Sequence, residues 1–494
     1  MGIVINQSAK NIVVTYLGFG IGAINALFLY TSFLGKTNYG IVAFLLSAGN
    51  IMMPLMAFGV HSTLIRFYNK NKNSESQDRF LSFMLLMPFL LIIPISLISF
   101  FGYDLILDLL SLLPQNNDLA RPYLWLIPII GLFMGYFEIF YAWVKVHMKS
   151  VFGNFISEVF VRIITMGLLF LVHWNTITPE TFIYGVTLAY GFQMLAMLTY
   201  AFYLRKPKFH FSLPENAKEI INYSLFIILA GSVAVFLLDL DKVMIPYYTG
   251  PEQVAVYSVA IFISTVIAVP SRAMLQIIYP ITAKLMSENK MEELNVLYKK
   301  SAINLQVFGG LILVGIFLNI NQMYLVIPDD YSGGLMAVFL IGLAKFYDVI
   351  LGNNNAILLN TKYYRMVLLF GVILVVLMIG LNMLLIPLYG ITGSALATLL
   401  SVIFYNTIKL LFIVKKMNLY PFGPTTIQSF AIIAIILVAF YFWEFPFEPW
   451  INIVIKSILI TISYVYLNYK FKISMDINDL IDNNLNRYFT SKKL

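Results

Sequence analysis

The chain has 494 residues, 60% hydrophobic and 11% charged, against about 25% charged in soluble globular proteins, so a water-soluble fold is excluded. The formal net charge of +8 does not point to nucleic acid, because the cations sit between apolar segments, where they suit anionic lipid. There is no cysteine, which removes disulfides, thiolate chemistry and cysteine-based metal sites.

The first apolar run follows Lys10 and continues for a full span with no small-residue cleavage signal, so it reads as a retained helix. Spans are expected at 12–33, 40–65, 80–101, 122–144, 155–172 and 181–204, then at 222–247, 254–280, 302–326, 334–359, 366–387 and 391–414. A final pair falls at 426–443 and 450–469. Most reach the roughly 20 residues a helix needs to cross about 30 Å of hydrocarbon; barrel strands would be half that length and alternating. The reading is an all-α polytopic membrane protein of about fourteen transmembrane helices. Its expected organisation is a six-helix bundle (1–204), a cytoplasmic linker (205–220), a second six-helix bundle (221–415), an additional helix pair (416–470) and a cytoplasmic tail (471–494).

The cations check that count. With the amino terminus on the cytoplasmic side, the inner gaps and ends hold Lys10; Arg66, Lys70, Lys72 and Arg79; Lys145 and Lys149; and Arg205, Lys206, Lys208 and Lys218. The series goes on with Lys284, Lys290, Lys299 and Lys300; Lys362 and Arg365; Lys409, Lys415 and Lys416; and Lys470, Lys472, Arg487, Lys492 and Lys493. The outer gaps hold only Lys36 and Arg121. Basic loops stay inside during insertion, and one missed span would put every later loop out of phase. Both termini are therefore expected in the cytoplasm.

The longest outer gap, 102–121, is made acidic by Asp104, Asp108 and Asp118. On the inner side, 281–301 places Met291, Leu294, Leu297 and Tyr298 at helical spacing beside lysines, and the tail does the same with Ile477, Leu480, Ile481 and Leu485. Both are expected to be amphipathic helices packed at the inner surface.

An internal repeat is visible when Gly35 is set against Gly250 with one residue inserted in the turn, which brings Pro54 opposite Pro270. Each proline then falls inside the second helix of its hairpin, where it bends the helix and frees a carbonyl. Two copies of one six-helix bundle with a substrate path at their interface are a recurring transporter design.

Charges inside spans are costly and mark a functional interior. Glu158 with Arg162, Asp239 with Lys242, and Lys345 with Asp348 stand at one-turn spacing, where each pair either neutralises itself or lines a hydrated cavity. Arg272, just after Pro270, has no acid within one turn; it needs Glu138, Asp241 or a bound anion, and its fork of donors suits phosphate. Arg66, with His61 before it, is either a cavity residue or a positive-inside anchor. Lys456, near the outer end of the last span, is expected to snorkel.

The stretches YTSFLGKTNYGIVAFLLSAGNI (Tyr30 to Ile51), DLDKVMIPYYTGPEQVAVYSVA (Asp239 to Ala260) and IPLYGITGSALATLLS (Ile386 to Ser401) resemble segments of polysaccharide-biosynthesis membrane proteins. These are the O-antigen and capsule oligosaccharide flippases of the multidrug/oligosaccharidyl-lipid/polysaccharide exporter superfamily. The resemblance implies a bacterial inner-membrane protein that moves a polyprenyl-pyrophosphate-linked oligosaccharide outward through a cavity of alternating access. It assigns Lys242 and Arg272, with Arg66 and Lys345, to the pyrophosphate. The implied partners are that lipid-linked sugar, membrane lipid, and a polysaccharide polymerase with its chain-length proteins; no cofactor is implied. In related lipid II flippases a final helix pair lies beside a groove for the lipid tail, and the last two spans here would do likewise. This chain lacks their cation cluster in the first span, which argues against lipid II itself. No phosphate-binding glycine loop is present, so a gradient must drive transport, with Asp239, Asp241, Asp348 or Glu138 available to bind a proton or sodium ion. The alternatives are a multidrug exporter of the same superfamily, which an acidic cavity would favour, and a membrane-embedded polymerase or glycosyltransferase, which generally needs a large outer loop that no gap here provides.

Overall fold

A computed structural model describes residues 2–68, 73–102, 119–147, 149–210, 212–361 and 363–491. Lys70, Lys72, Asp104, Asp108, Asp118, Lys362, Lys492 and Lys493 lie outside them. The described residues are helical throughout, with no strand. In order they form α1 (Gly2–Ile24, continued by the π-helical turn Asn25–Leu34), α2 (Lys36–Met56), α3 (Val60–Phe67), α4 (Ser74–Leu86), α5 (Phe89–Phe101) and α6 (Leu126–Val146). Next come α7 (Ser150–Phe155), joined by a π-helical Ile156–Phe160 to α8 (Val161–His173), then α9 (Pro179–Leu204), α10 (Ala217–Thr249), α11 (Pro251–Thr265) and α12 (Val269–Ser287). The remainder are α13 (Met291–Val326), α14 (Leu335–Ile350), α15 (Asn354–Leu359), α16 (Tyr364–Met417), α17 (Pro424–Tyr441), α18 (Pro449–Lys470) and α19 (Met475–Ser491).

Twelve of these helical stretches are long and apolar enough to cross a membrane, or thirteen if bent α10 is one span. The difference from fourteen has a local cause. Two expected spans, 366–387 and 391–414, run together as the 54-residue α16, which is broken at Gly390 (φ 56°, ψ −135°). Each arm exceeds the roughly 20 residues a crossing needs, so α16 supplies two crossings.

The chain divides into two compact units. The first is Met1–Val259 with Asn382–Ser394, and the second is Ala260–Leu381 with Ala395–Leu494. The first unit thus takes in the seventh span and the turn at Gly390. Its helices approach closely where side chains are small: a Cβ on Gly49 would lie 2.5 Å from the Ile130 side chain, and one on Gly131 would lie 3.0 Å from the Met52 side chain. Small residues are what membrane helices use to bring backbones together.

The two aligned turns share one backbone conformation. Gly35 has φ 73° and ψ 161°, and Gly250 has φ 92° and ψ 164°, a region that a Cβ makes unfavourable. The turns also meet: a Cβ on Gly40 would lie 1.7 Å from the Pro251 carbonyl oxygen, and Thr37 Oγ1 donates to Glu252 Oε1 at 2.8 Å. The second helix of each hairpin is interrupted near its proline. Pro54 lies close to the end of α2, after which Phe58 and Gly59 take positive φ and α3 starts. Pro270 opens α12, just after a 3-10 turn at Val266–Ala268, a position where its missing N–H would be unpaired anyway.

In the second unit, the amphipathic stretch expected at 281–301 does not form a helix of its own. From Met291 it is continuous with the ninth span in α13. The tail helix α19 is tied to it: Lys300 Nζ lies 2.8 Å from Asp476 Oδ1, and Asn304 Nδ2 donates to Asp476 Oδ2 at 3.0 Å. The Lys300 ammonium holds the Asp476 carboxyl below the usual carboxylate range. Buried Lys456 does not snorkel: it is 1% exposed. Asn452, Lys456, Ile460, Tyr464 and Asn468 form the buried stripe of α18, and the stripe faces α13, where Tyr464 donates to the Val307 carbonyl at 3.1 Å.

Candidate functional site

In the first unit the polar interior centres on α10. Residues two apart on a helix point to widely separated directions, about 200° around the axis, so Asp239 and Asp241 face different neighbours. Asp239, 5% exposed, takes Ser47 Oγ at 2.9 Å on Oδ1 and Asn50 Nδ2 at 2.6 Å on Oδ2, both from α2. Lys242 Nζ lies 2.7 Å from the same carboxylate. The seventh span is thereby bonded to the second through a buried ion pair with both carboxylate oxygens satisfied, the condition under which buried charge is tolerated.

Asp241, 3% exposed, accepts from Asn382 Nδ2 at 2.9 Å and from the Tyr257 hydroxyl. Asn382 in turn accepts from Ser394 Oγ at 2.9 Å, and both residues are fully buried. This second cluster joins α10, α11 and both arms of α16 within the first unit.

A third pair behaves as its spacing implies: Arg162 Nη2 is 3.3 Å from Glu158 Oε2. It stands at the π-helical Ile156–Phe160, against the glycine-lined face of α1, with Asn25 Nδ2 donating to the Arg162 carbonyl at 2.8 Å. Glu138 is half-buried on α6 and makes no ion pair with a described residue. Arg66 is exposed, with its guanidinium 4.3 Å from the Tyr223 ring centre, a cation–π contact.

In the second unit, Asp348 accepts from Asn406 Nδ2 at 3.0 Å and shares a pocket with Lys409; Lys345, on the same helix, is half-buried. Arg272 is exposed on α12 and makes no ion pair with any described residue. Lys409, counted above among the inner-gap cations, is 1% exposed. It donates to Asn355 Oδ1 at 2.9 Å and lies 4.0 Å from the Tyr405 ring centre. Position along the chain placed it near the end of a span; the burial comes from α15 packing over that end.

Of the charged residues named from sequence, the structure groups Asp239 with Lys242 and gives Asp241 and Asp348 polar partners of their own. Ser47, Asn50, Asn382, Ser394, Asn406 and Lys409 were not singled out. The one signal for the amides and hydroxyls was their position inside otherwise apolar spans.

The described residues form an all-helical chain with a dozen or more helices long and apolar enough to cross a membrane, and with charged and amide groups paired inside them. The fold is similar to that of "Lipid II flippase MurJ, inward closed conformation", with a TM-score of 0.76 at 17% identity, over 95% of this chain and 99% of that one. It is similar also to an inward-facing multidrug resistance MATE family transporter of the MOP superfamily, with a TM-score of 0.62 at 14% identity, over 82% and 94%. A MOP superfamily transporter from Pyrococcus furiosus aligns with a TM-score of 0.55 at 14% identity, over 83% and 96%. No curated protein matches the sequence. The family described as polysaccharide biosynthesis protein matches residues 6–286, and the chain belongs to it.

Proposed function

We propose that this protein carries a polyprenyl-pyrophosphate-linked oligosaccharide, a repeat unit of O-antigen, capsule or exopolysaccharide, across the bacterial inner membrane by alternating access. The observation that carries the reading is Arg272. An exposed guanidinium on a helix that begins at a break in an apolar span, without an ion-pair partner among the described residues, suits a dianionic head group better than an organic cation. Arg66 and half-buried Lys345 add positive charge, while Lys242 is paired with Asp239. Asp239, Asp241, Asp348 and Glu138 are the acids available to couple a proton or sodium gradient, with Asp241 and its fully buried amide and hydroxyl partners the most enclosed.

The test is a flipping assay. Purified protein in liposomes should move a fluorescent polyprenyl-pyrophosphate sugar between leaflets at least about tenfold faster than protein-free vesicles, and deletion of the gene should remove surface polysaccharide. Export of organic cations with no effect on surface polysaccharide would replace this reading with the multidrug one.

The orientation proposed has both termini in the cytoplasm, from the alternation of basic gaps. Reporter fusions after Thr178 and Pro328 should read out the periplasm, and fusions after Asn73, Pro214 and Asn289 the cytoplasm. One inverted reporter breaks the phase and rejects the arrangement.

A further inference from the structure

Between α2 and α3 the backbone turns through Phe58 (φ 49°) and Gly59 (φ 62°). Positive φ is rare and strained for a bulky side chain, and Phe58 is buried at 4% exposure. Neighbouring helices close in on this joint. A Cβ on Gly59 would lie 2.5 Å from the Ser224 carbonyl oxygen of α10, and one on Gly135 of α6 would lie 3.0 Å from the Ala57 nitrogen. Strain of this kind is stored at hinges and switch regions.

Three titratable side chains stand beside the joint. From the turn after Gly135, α6 carries Glu138, Tyr141 and Lys145 at three- and four-residue spacing, which puts them on one face. His61 comes from α3. Lys145 is in the last turn of α6, where a lysine ordinarily stretches outward to water. Here it folds back over the preceding turn, with Nζ 3.6 Å from the Tyr141 ring centre, and its charge is felt by both Glu138 and His61. None of the three makes a hydrogen bond or ion pair with a described residue, and the His61 Nδ1 is buried without a partner. The other charges around them are engaged. Glu158 pairs with Arg162, Arg205 lies 2.9 Å from Asp78, Arg66 sits on the Tyr223 ring, and His147 has Tyr68 and Arg205 as neighbours.

Proton uptake at either end of the cluster acts in the same direction. An ionised Glu138 attracts the Lys145 ammonium inward, and a neutral His61 tolerates it. Protonating Glu138 removes the attraction, and protonating His61 adds a like charge facing the ammonium. Both steps drive α3, which carries His61, away from Lys145 on α6, and the strained joint at Phe58 and Gly59 is where the backbone can yield. We propose that Glu138, Lys145 and His61 form an acid-operated switch that releases α3 from α6. The switch does not depend on what is carried; that its movement opens or closes the path of a lipid-linked sugar rests on the flippase reading.

The chain has no cysteine, so spin labels can be placed singly at Ile65→Cys on α3 and Tyr203→Cys on α9, both exposed. Pulsed electron spin resonance on the full chain in lipid nanodiscs then reads their separation at about pH 7.5 and about pH 4.5, which bracket ordinary imidazole and approach ordinary carboxyl values. Acid should change the ratio of the two distance populations at least about tenfold, the effect of one pKa unit on one proton, and return to neutral pH should reverse it. Glu138→Gln should move the neutral-pH ratio toward the acid one, and His61→Gln should shrink the swing. Lys145→Met removes the charge on which both protons act and should abolish it. Because none of these side chains bonds to the protein, each variant should melt like the unaltered chain; if Lys145→Met does not, isosteric Glu138→Gln carries the test. No swing in the unaltered chain, an undiminished swing in folded Lys145→Met, or a neutral-pH ratio unmoved by Glu138→Gln overturns the proposal. Surface polysaccharide separates the two readings. If deleting the gene leaves polysaccharide intact while the swing still requires Lys145, the switch stands and the flippase reading falls. If deletion abolishes polysaccharide and folded Lys145→Met keeps the full swing, the flippase reading stands and the switch falls.

Discussion

Arg272→Ala should abolish or severely reduce polysaccharide export while the protein reaches the membrane at normal abundance. The side chain is exposed and holds no ion pair with a described residue, so its removal uncovers no buried acid and costs little stability. Charged hydrogen bonds to a ligand are worth about 1.5–3 kcal/mol, which at about 1.4 kcal/mol per factor of ten corresponds to roughly 10- to 150-fold weaker engagement of the head group. Arg272→Lys should recover only part, because an ammonium keeps the charge and loses the two-pronged contact. The measurement is complementation of a deletion strain, with surface polysaccharide and membrane level scored together. The rival view, in which Arg272 neutralises Glu138 or Asp241, makes the opposite forecast: low abundance for the single variant and rescue when the acid is removed too. Full export by Arg272→Ala at normal abundance would eliminate the substrate role.

Asp239→Ala should be the most destabilising single change in the interior. It removes the acceptor for Ser47, Asn50 and Lys242 at once and leaves a largely buried ammonium without its counter-charge. Breaking one side of a buried ion pair costs about 3–5 kcal/mol, enough to lower the melting temperature by several degrees and reduce membrane abundance. The double variant Asp239→Ala with Lys242→Met should regain most of the loss, since the stranded charge is gone, although Ser47 and Asn50 still lack an acceptor. Asp239→Asn should fall between, keeping oxygen for one hydrogen bond while losing the charge. Melting curves of the detergent-purified proteins measure all three. An Asp239→Ala protein that melts like the unaltered chain would refute the view that this carboxylate fastens the seventh span to the second.

Both forecasts start from residues that the sequence made conspicuous, and they differ in how much of the surroundings it supplied. That Asp239 could pair with Lys242 was legible, because three residues along a helix share a face whatever the helix packs against, and Glu158 with Arg162 follows the same rule. The two glycine turns were legible as well: a backbone region closed to side chains leaves its mark as glycine at matching places, Gly35 and Gly250. The spans could be counted because hydrocarbon thickness fixes helix length and insertion sorts cations, each a local property of the chain. The merging of two spans into one helix broken at Gly390 changes how they are drawn and not how many crossings the apolar text provides.

What the sequence left open is everything that depends on which helix faces which. Ser47 and Asn50 read as ordinary polar residues until α10 is laid against α2, and Asn382 becomes a partner of Asp241 only when a turn far along the chain joins the first unit. Lys409 and Lys456 sit near the ends of apolar runs, where an isolated helix would let both ammonium groups reach water. Packing by α15 and α13 closes over them instead, and each ends 1% exposed. Hydropathy and charge count report how a segment meets the bilayer, because that is a one-dimensional sum over neighbours in the chain. Burial of a particular amide or cation is set by contacts between residues remote in sequence, and only the tertiary structure brings those together.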